Sequence, residues 1–519
     1  MRILIAKPHL FGDVLQGLYV ARAARQAFPR SEIDFLCSAA YAVAFHGNQD
    51  VSRVLLLRKP GKAVSAVDAP VTLFDSEREL LAELQGQGFD RVINLAPEAA
   101  FSQLVSHVPA GRRAGVFFSR TGDRELFGDL AVYGATCVAV RRLVRLNLVD
   151  LFALNGGLPL PTKDAPLWDT LGDEALADAV FQRHGLDRGL PLICLQPGSS
   201  DPFRRWPAAD FARVADWLAA RGLVAVVHGG PKEEPLCKAV SRQAACTPRC
   251  LLDLSLLELR ALLGRCRLLI TNDTGPMHLA AAVGTPTLAL FFGPSSPVDT
   301  AAYRPGGLAL ASSLPCAPCK EPRECPRAFA CRGALTPERV QQVLESLDGL
   351  ASGDLAGSGP RIGDVQIFRA EREPALGLLE QERLRCGMTP PGELIREFVA
   401  DSWLSVWLTD PKRRQGFLAQ LAGQIEDALD DPGRELVARD LLQLAREAER
   451  ARAEFGRDRL PVFCSAEGPA LTELMRVLPS CLAMAPGEGR SFSSIATAFL
   501  ELLARDAPIL LRQGGIRRP

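Results

Sequence analysis

No uninterrupted apolar run in the 519 residues approaches the ~18–20 positions a helix needs to cross a bilayer. Met1 to Ala6 is followed at once by Lys7, Pro8 and His9, which is unlike a secretory leader. A cytoplasmic protein is expected, with peripheral contact at the inner face of the membrane as a further expectation. Net charge is also missing. Sixty Lys and Arg balance sixty Asp and Glu, so there is no global basic field of the sort that holds nucleic acid, and no nucleic-acid partner is expected. Histidine is scarce, at six residues, and the spacing of those six forms no metal set. The chain has no G-x-S-x-G, no Walker loop and no H-E-x-x-H. It also lacks a G-x-G-x-x-G after the first apolar run, which counts against an NAD-dependent enzyme.

What is present is a rhythm. Short apolar runs at Ile3 to Ala6, Ile33 to Cys37, Val54 to Leu57, Val92 to Leu95 and Gly115 to Phe118 alternate with helical periodicity, as in a parallel α/β sheet. A proline-rich connection from Pro159 to Pro166 interrupts it. The rhythm restarts with Leu192 to Gln196, Leu223 to His228, Leu268 to Thr271 and Thr287 to Phe292. Two Rossmann-like domains, 1–165 and 166–350, are therefore expected to face each other across a cleft. Beyond the Gly- and Ser-rich stretch around Gly353 to Pro360, residues 351–519 read as a mostly helical extension of unknown role. Strand alternation is nearly absent there, and Trp403 and Trp407 lie on one apolar helix face that suits a core.

Three segments fall at strand ends, where anions and hydroxyls are bound. Asn272-Asp273-Thr274-Gly275-Pro276-Met277-His278 breaks from a buried strand into a helix. Thr274 suits the cap and Gly275 a close approach, while Asp273 stands where sugar hydroxyls would be held and His278 follows on the same helix face. Gln196 to Pro207 carries Ser199, Ser200, Arg204 and Arg205, the small hydroxyls and fixed positive charge that a diphosphate requires. Lys7 to Asp13 lies between the first strand and first helix. A carboxylate at Asp13 can serve as partner of the helix dipole or as acceptor of a proton from an incoming hydroxyl.

Taken together, Gly12-Asp13, Pro197-Gly198 with Arg204 to Pro207, Gly229-Gly230-Pro231 with Glu233, and Asp273 to His278 resemble the ADP-heptose:lipopolysaccharide heptosyltransferases of glycosyltransferase family nine. The resemblance covers roughly residues 1–350. It implies a GT-B fold and an inverting transfer of heptose, or a related sugar, from an ADP-sugar to a lipopolysaccharide core or other surface glycan. Asp13 would be the general base. Lys7, Gly12, Ser199, Ser200, Arg204, Arg205, Glu233, Asp273, Thr274, Gly275 and His278 would line the substrates, with Glu234 an alternative to Glu233 at the ribose. Arg204 stands where relatives usually place a lysine. Pro8, His9 and Leu10 stand where they carry serine or threonine, which leaves the acceptor open. No cofactor is required for catalysis, because Arg204, Lys7 and the helix start at Thr274 offset the charge on the departing diphosphate. An anionic lipid-linked glycan or a protein side chain would be the acceptor. A two-domain sugar-nucleotide epimerase and a non-catalytic sugar-nucleotide-binding protein are the competing readings.

Two further groups stand out. Cys316, Cys319, Cys325 and Cys331 have the ligand number of a tetrahedral zinc or iron site of structural role; reduced thiols or a reversible disulfide fit the same spacing. The resemblance adds that some protein-modifying heptosyltransferases hold iron with a comparable cluster. Arg112, Arg113, Arg120, Arg124, Arg141, Arg142 and Arg145 would meet an anionic acceptor or the inner leaflet if they share one face, and are otherwise a solvated surface.

Overall fold

A computed structural model describes residues 1–58, 71–161, 167–168, 173–314, 316–319, 325–347, 365–384, 391–408, 410–428, 437, 439–448 and 492–513. The expected domain boundaries near 165 and 350, and the Gly353 to Pro360 stretch, lie outside these residues.

Two sheets organise the chain. The first contains β1 (Arg2–Ala6), β2 (Glu32–Ser38), β3 (Arg53–Leu57), β4 (Val71–Phe74), β5 (Phe89–Asn94), β6 (Ala110–Phe118) and β7 (Arg124–Phe127). Their order is β4-β3-β2-β1-β5-β6-β7, parallel except for the final hairpin of β6 and β7. The second contains β8 (Leu192–Gln196), β9 (Val224–His228), β10 (Arg249–Leu251), β11 (Leu268–Asn272), β12 (Thr287–Phe291), β13 (Leu308–Ser312), β14 (Val365–Arg372) and β15 (Leu379–Arg383). Their order is β10-β9-β8-β11-β12-β13-β14-β15. Central strands are covered on both faces, which is why Ile3 to Ala6, and all of β8, β11, β12 and β13, are mostly apolar without alternation and are buried throughout.

Strand order reverses beside β1 in the first sheet, whose neighbours are β2 and β5. It reverses again beside β8 in the second, whose neighbours are β9 and β11. At such a switch point the two flanking connections leave in opposite directions and open a crevice at the strands' carboxyl ends. The loops after β1, β8 and β11 therefore occupy the two crevices.

The extension departs from the helical expectation at its start. β14 and β15 add an antiparallel hairpin to the edge of the second sheet, beginning with Leu308 opposite Arg369. Its helices, Pro391–Ser405, Pro411–Ala428 and Phe492–Gln513, pack on the first lobe instead. Trp403, Phe398 and Phe499 share one buried cluster with Leu126, Tyr133 and Leu143. Between the second and third of these helices, position 437 and residues 439–448 are described, and they are helical. No described helix is long and apolar enough to cross a membrane.

Candidate functional site

The helix Phe11–Ala27 begins directly after the β1 loop and carries Asp13 in its first turn. Lys7 leaves the end of β1 buried, and its ammonium reaches Asp13 Oδ2 at 2.8 Å and the carbonyl of Leu95 at 3.3 Å. Its side chain is 4% exposed while that of Asp13 is 32% exposed, so the pair presents the carboxylate, and not the ammonium, to the crevice. Leu10 has φ of 64°, a left-handed conformation that costs on the order of 1–3 kcal/mol in a residue with a Cβ. It sits exposed at the helix start.

Across the crevice, Asn272 at the end of β11 holds the β8 loop from both sides. Its amide nitrogen donates to the carbonyls of Pro197 and Gly198, at 2.8 and 3.3 Å, and its oxygen accepts from the Trp206 N–H at 3.0 Å. Reasoning from the sequence assigned Asn272 no role, although an amide at a strand end beside Asp-Thr-Gly is the available signal. The clamped loop brings Ser199 within 3.5 Å of the Asp273 carbonyl, and Arg204 Nη1 to Asp273 Oδ2 at 3.1 Å. Ser200 is exposed at the loop tip.

Two expected roles need correction. The Arg205 guanidinium is turned inward, with Nε and Nη2 donating to the Ser199 carbonyl at 2.9 and 2.6 Å. It shapes the loop, while Arg204 faces Asp273. Thr274 precedes the helix Gly275–Val283 with extended backbone but makes no side-chain cap.

Gln196 and His228 end β8 and β9. Gln196 donates to Glu233 Oε2 at 3.2 Å and accepts from His228 Nδ1 at 2.6 Å. Glu233 also accepts the Gly230 N–H at 3.0 Å, and a Cβ on Gly198 would overlap its carboxylate. Glu234 instead pairs with Lys238 at 2.5 Å. Of the two acids, Glu233 is thus the one directed at the β8 loop. Burial lowers the His228 pKa to about 4, so the ring is neutral.

The two lobes touch at this site. A Cβ added to Gly12 would lie 2.7 Å from the His278 ring, and one on Gly275 would lie 3.1 Å from Phe11. Burial pulls the His278 pKa down, while Asp273 and Asp13 oppose it from either side. One imidazole therefore senses a carboxylate of each lobe. Lys7, Gly12, Asp13, Ser199, Arg204, Asp273, Thr274, Gly275 and His278 converge here; Glu233 stands one strand further along.

The cysteine expectation fares differently. Cys316, Cys319, Cys325 and Cys331 surround one cavity as free thiols, but among the described residues no three His, Cys, Asp or Glu side chains are placed to hold a metal ion. The Cys325 sulfur accepts the Phe329 N–H at 3.4 Å, and Cys331 packs against the second lobe's core. The zinc or iron site is not formed by this arrangement. Nor do the arginines share a face. Arg112 pairs with Asp129, Arg113 lies over Phe117, Arg141 pairs with Asp299 of the other lobe, Arg145 faces Glu380, and Arg120 and Arg124 are exposed on the hairpin of β6 and β7.

Two facing Rossmann-like sheets, with loops of both switch points meeting between them, define the GT-B class of glycosyltransferase. Residues 78–327 match the model of glycosyltransferase family 9 (heptosyltransferase). It is 29% identical to lipopolysaccharide heptosyltransferase 1 of Pseudomonas aeruginosa, over 67% of this chain and 98% of the relative. To the Escherichia coli K12 enzyme of the same description it is 26% identical, over 67% of this chain and all of the relative. The solved E. coli ADP-heptose lipopolysaccharide heptosyltransferase II superposes with a TM-score of 0.48 at 19% identity, covering 68% of this chain and 98% of that one.

Proposed function

We propose that this glycosyltransferase moves a heptose, or a closely related sugar, from an ADP-sugar to a lipopolysaccharide core, with inversion at the anomeric carbon. The observation that carries the reading is the meeting of Asp13, from the first lobe, with the helix start at Thr274 to His278 and the Arg204–Asp273 pair of the second. The curated relatives named above are lipopolysaccharide heptosyltransferases, which supports the choice of sugar and acceptor.

The acceptor hydroxyl oxygen forms the new bond to the anomeric carbon as the bond from that carbon to the diphosphate oxygen breaks. The electron pair leaves with ADP and the hydroxyl proton goes to Asp13. Lys7 holds the carboxylate toward the crevice by its 2.8 Å ion pair. The Arg204 guanidinium, bonded to Asp273 in this structure, faces the diphosphate together with the first-turn N–H groups of Gly275–Val283 and offsets the charge that develops there. Asp273 and His278 line the sugar, and Glu233, fixed by the Gly230 N–H, the ribose. In this reading the diphosphate's charge is met without a metal.

Loss of a general base costs on the order of 10²–10⁴ in rate. Asp13→Asn is expected to lower ADP release from ADP-heptose in the presence of heptose-free lipopolysaccharide by that factor, with the ADP dissociation constant unchanged in calorimetry. An Asp13→Asn enzyme of normal turnover would remove the assignment.

A further inference from the structure

A cavity of about 420 Å³ lies where the two lobes and the extension meet, a volume typical of small-molecule sites. Its inner wall is the carboxyl end of β12, Phe291 to Gly293. That strand pairs with β11, and its Leu290 carbonyl accepts the Asp273 N–H at 3.3 Å, so the cavity adjoins the crevice described above. The opposite wall belongs to the extension: Arg372 and Gln381 of the hairpin, and Phe417 of the helix Pro411–Ala428. Pro374 and Gln420 are exposed at its edge and leave it open to solvent.

The polar atoms of this cavity are under-used. Gln381 is 8% exposed, yet neither its amide nitrogen nor its oxygen has a partner among the described residues. Arg372 keeps Nε and Nη2 unpartnered, and Arg145 keeps Nε. A buried polar group without a partner costs about 1–3 kcal/mol, so the unpartnered atoms of these three side chains are not idle by default. Three of its guanidinium groups already face an acid: Arg145 faces Glu380 at 3.6 Å, Arg141 pairs with Asp299 at 2.8 Å, and Arg372 lies 3.9 Å from Asp150 and donates to Tyr303. What remains is hydrogen-bonding capacity of both senses without net charge, between the phenyl rings of Phe368 and Phe417. Hydroxyls, which donate and accept, on a ring with an apolar C–H face satisfy that combination. An anion would find guanidinium groups whose charge is already compensated.

We propose that this cavity is a second carbohydrate subsite, which takes a neutral, polyhydroxylated sugar unit of the acceptor and is completed by the extension. That the sugar belongs to the acceptor rests on the transferase reading; that the cavity binds a neutral saccharide does not.

The test is saturation-transfer NMR on the full chain, with lactose and methyl α-mannoside as neutral probes and glucuronate and glucose 1-phosphate as anionic ones. ADP binding is followed separately by calorimetry. Saturation of a neutral probe is expected, undiminished by saturating ADP. In Gln381→Leu its affinity should fall about tenfold through lost hydrogen bonds, while the ADP dissociation constant holds. If Gln381→Leu melts far below the parent, Gln381→Asn, which shortens the amide by one methylene, should show the same loss in direction. Overturning results are no saturation of either neutral probe, a signal equal in parent and variants, displacement of the probe by ADP, or preference for the anionic probes. Failure of the parent to bind ADP would count instead against the transferase reading.

Discussion

At the scale of single residues, the type of side chain was legible and its existing commitments were not. Arg204 and Arg205 are adjacent and chemically identical, yet one faces Asp273 and the other is spent on the Ser199 carbonyl. Nothing in their spacing separates them, because the choice depends on a loop shape set by Asn272, 67 and 68 positions further along the chain. Thr274 suits the cap by residue type and by its extended backbone, yet its side chain makes no cap hydrogen bond. His228 shows how a buried partnership becomes measurable. Its pKa falls from 6.5 to about 4 because burial penalises the charged ring. Since the folded value lies below the unfolded one, the unfolded chain binds more protons between those pH values. The stability due to the neutral ring is therefore complete above about pH 6.5 and is lost as pH falls toward 4. His228→Gln, which removes this group, is expected to lose less melting temperature than the parent between pH 7 and about 4.5. Parallel melting curves across that range would show that the ring carries no such linkage.

At the scale of elements, the helix Pro391–Ser405 illustrates a pattern read correctly without its partner. Its tryptophan-bearing face is buried, but against the first lobe: Trp403 Nε1 donates to Thr136 Oγ1 at 3.2 Å, and its ring meets Trp407 and Phe499 edge-on. Removing such a side chain costs about 3–5 kcal/mol in transfer and cavity terms. Trp403→Ala should accordingly shift the urea midpoint strongly, and Trp403→Phe, which keeps most of the packing, far less. Equal shifts would mean that the hydrogen bond to Thr136, and not the packing, dominates. The strands follow a related rule. Buried central runs such as β1, β8 and β11 announced themselves by unbroken apolar residues, whereas β4, β7 and β10, of four, four and three residues, did not. β14 and β15 were missed because Arg369, Glu371, Arg372, Glu380 and Glu382 interrupt them. Charge on an outer hairpin masks alternation that the pairing with β13 makes plain.

At the scale of the whole molecule, the extension joins the second lobe through its hairpin and the first through its helices, so it ties across the cleft that separates them. Asp150 lies where these ties meet. Fully buried in the first lobe, it accepts the Tyr303 hydroxyl of the second at 2.5 Å and the Leu379 N–H of β15 at 2.6 Å. Nearby, Asn147 donates to the Ala301 carbonyl at 3.0 Å, and on the far side Trp168 and Asn48 bridge the lobes' connection. With lobes linked at both ends, unfolding of one exposes surface of the other, and a single calorimetric transition is expected for the full chain. Asp150→Ala strands a hydroxyl, an amide N–H and part of the Arg372 guanidinium in one buried place. Each unpaired group costs about 1–3 kcal/mol, enough to separate the lobes' melting. The expected result is a lower transition that splits in two, with ADP raising only the component that contains Arg204 and Thr274. A ligand at a hundredfold excess over its dissociation constant stabilises its own cooperative unit by about 2.7 kcal/mol and leaves an uncoupled one untouched. If ADP raised the whole of a still-single transition in Asp150→Ala, the remaining contacts between the lobes, such as Arg141–Asp299, Asn147–Ala301 and Gly12–His278, would suffice to couple them, and Asp150 would not be the tie.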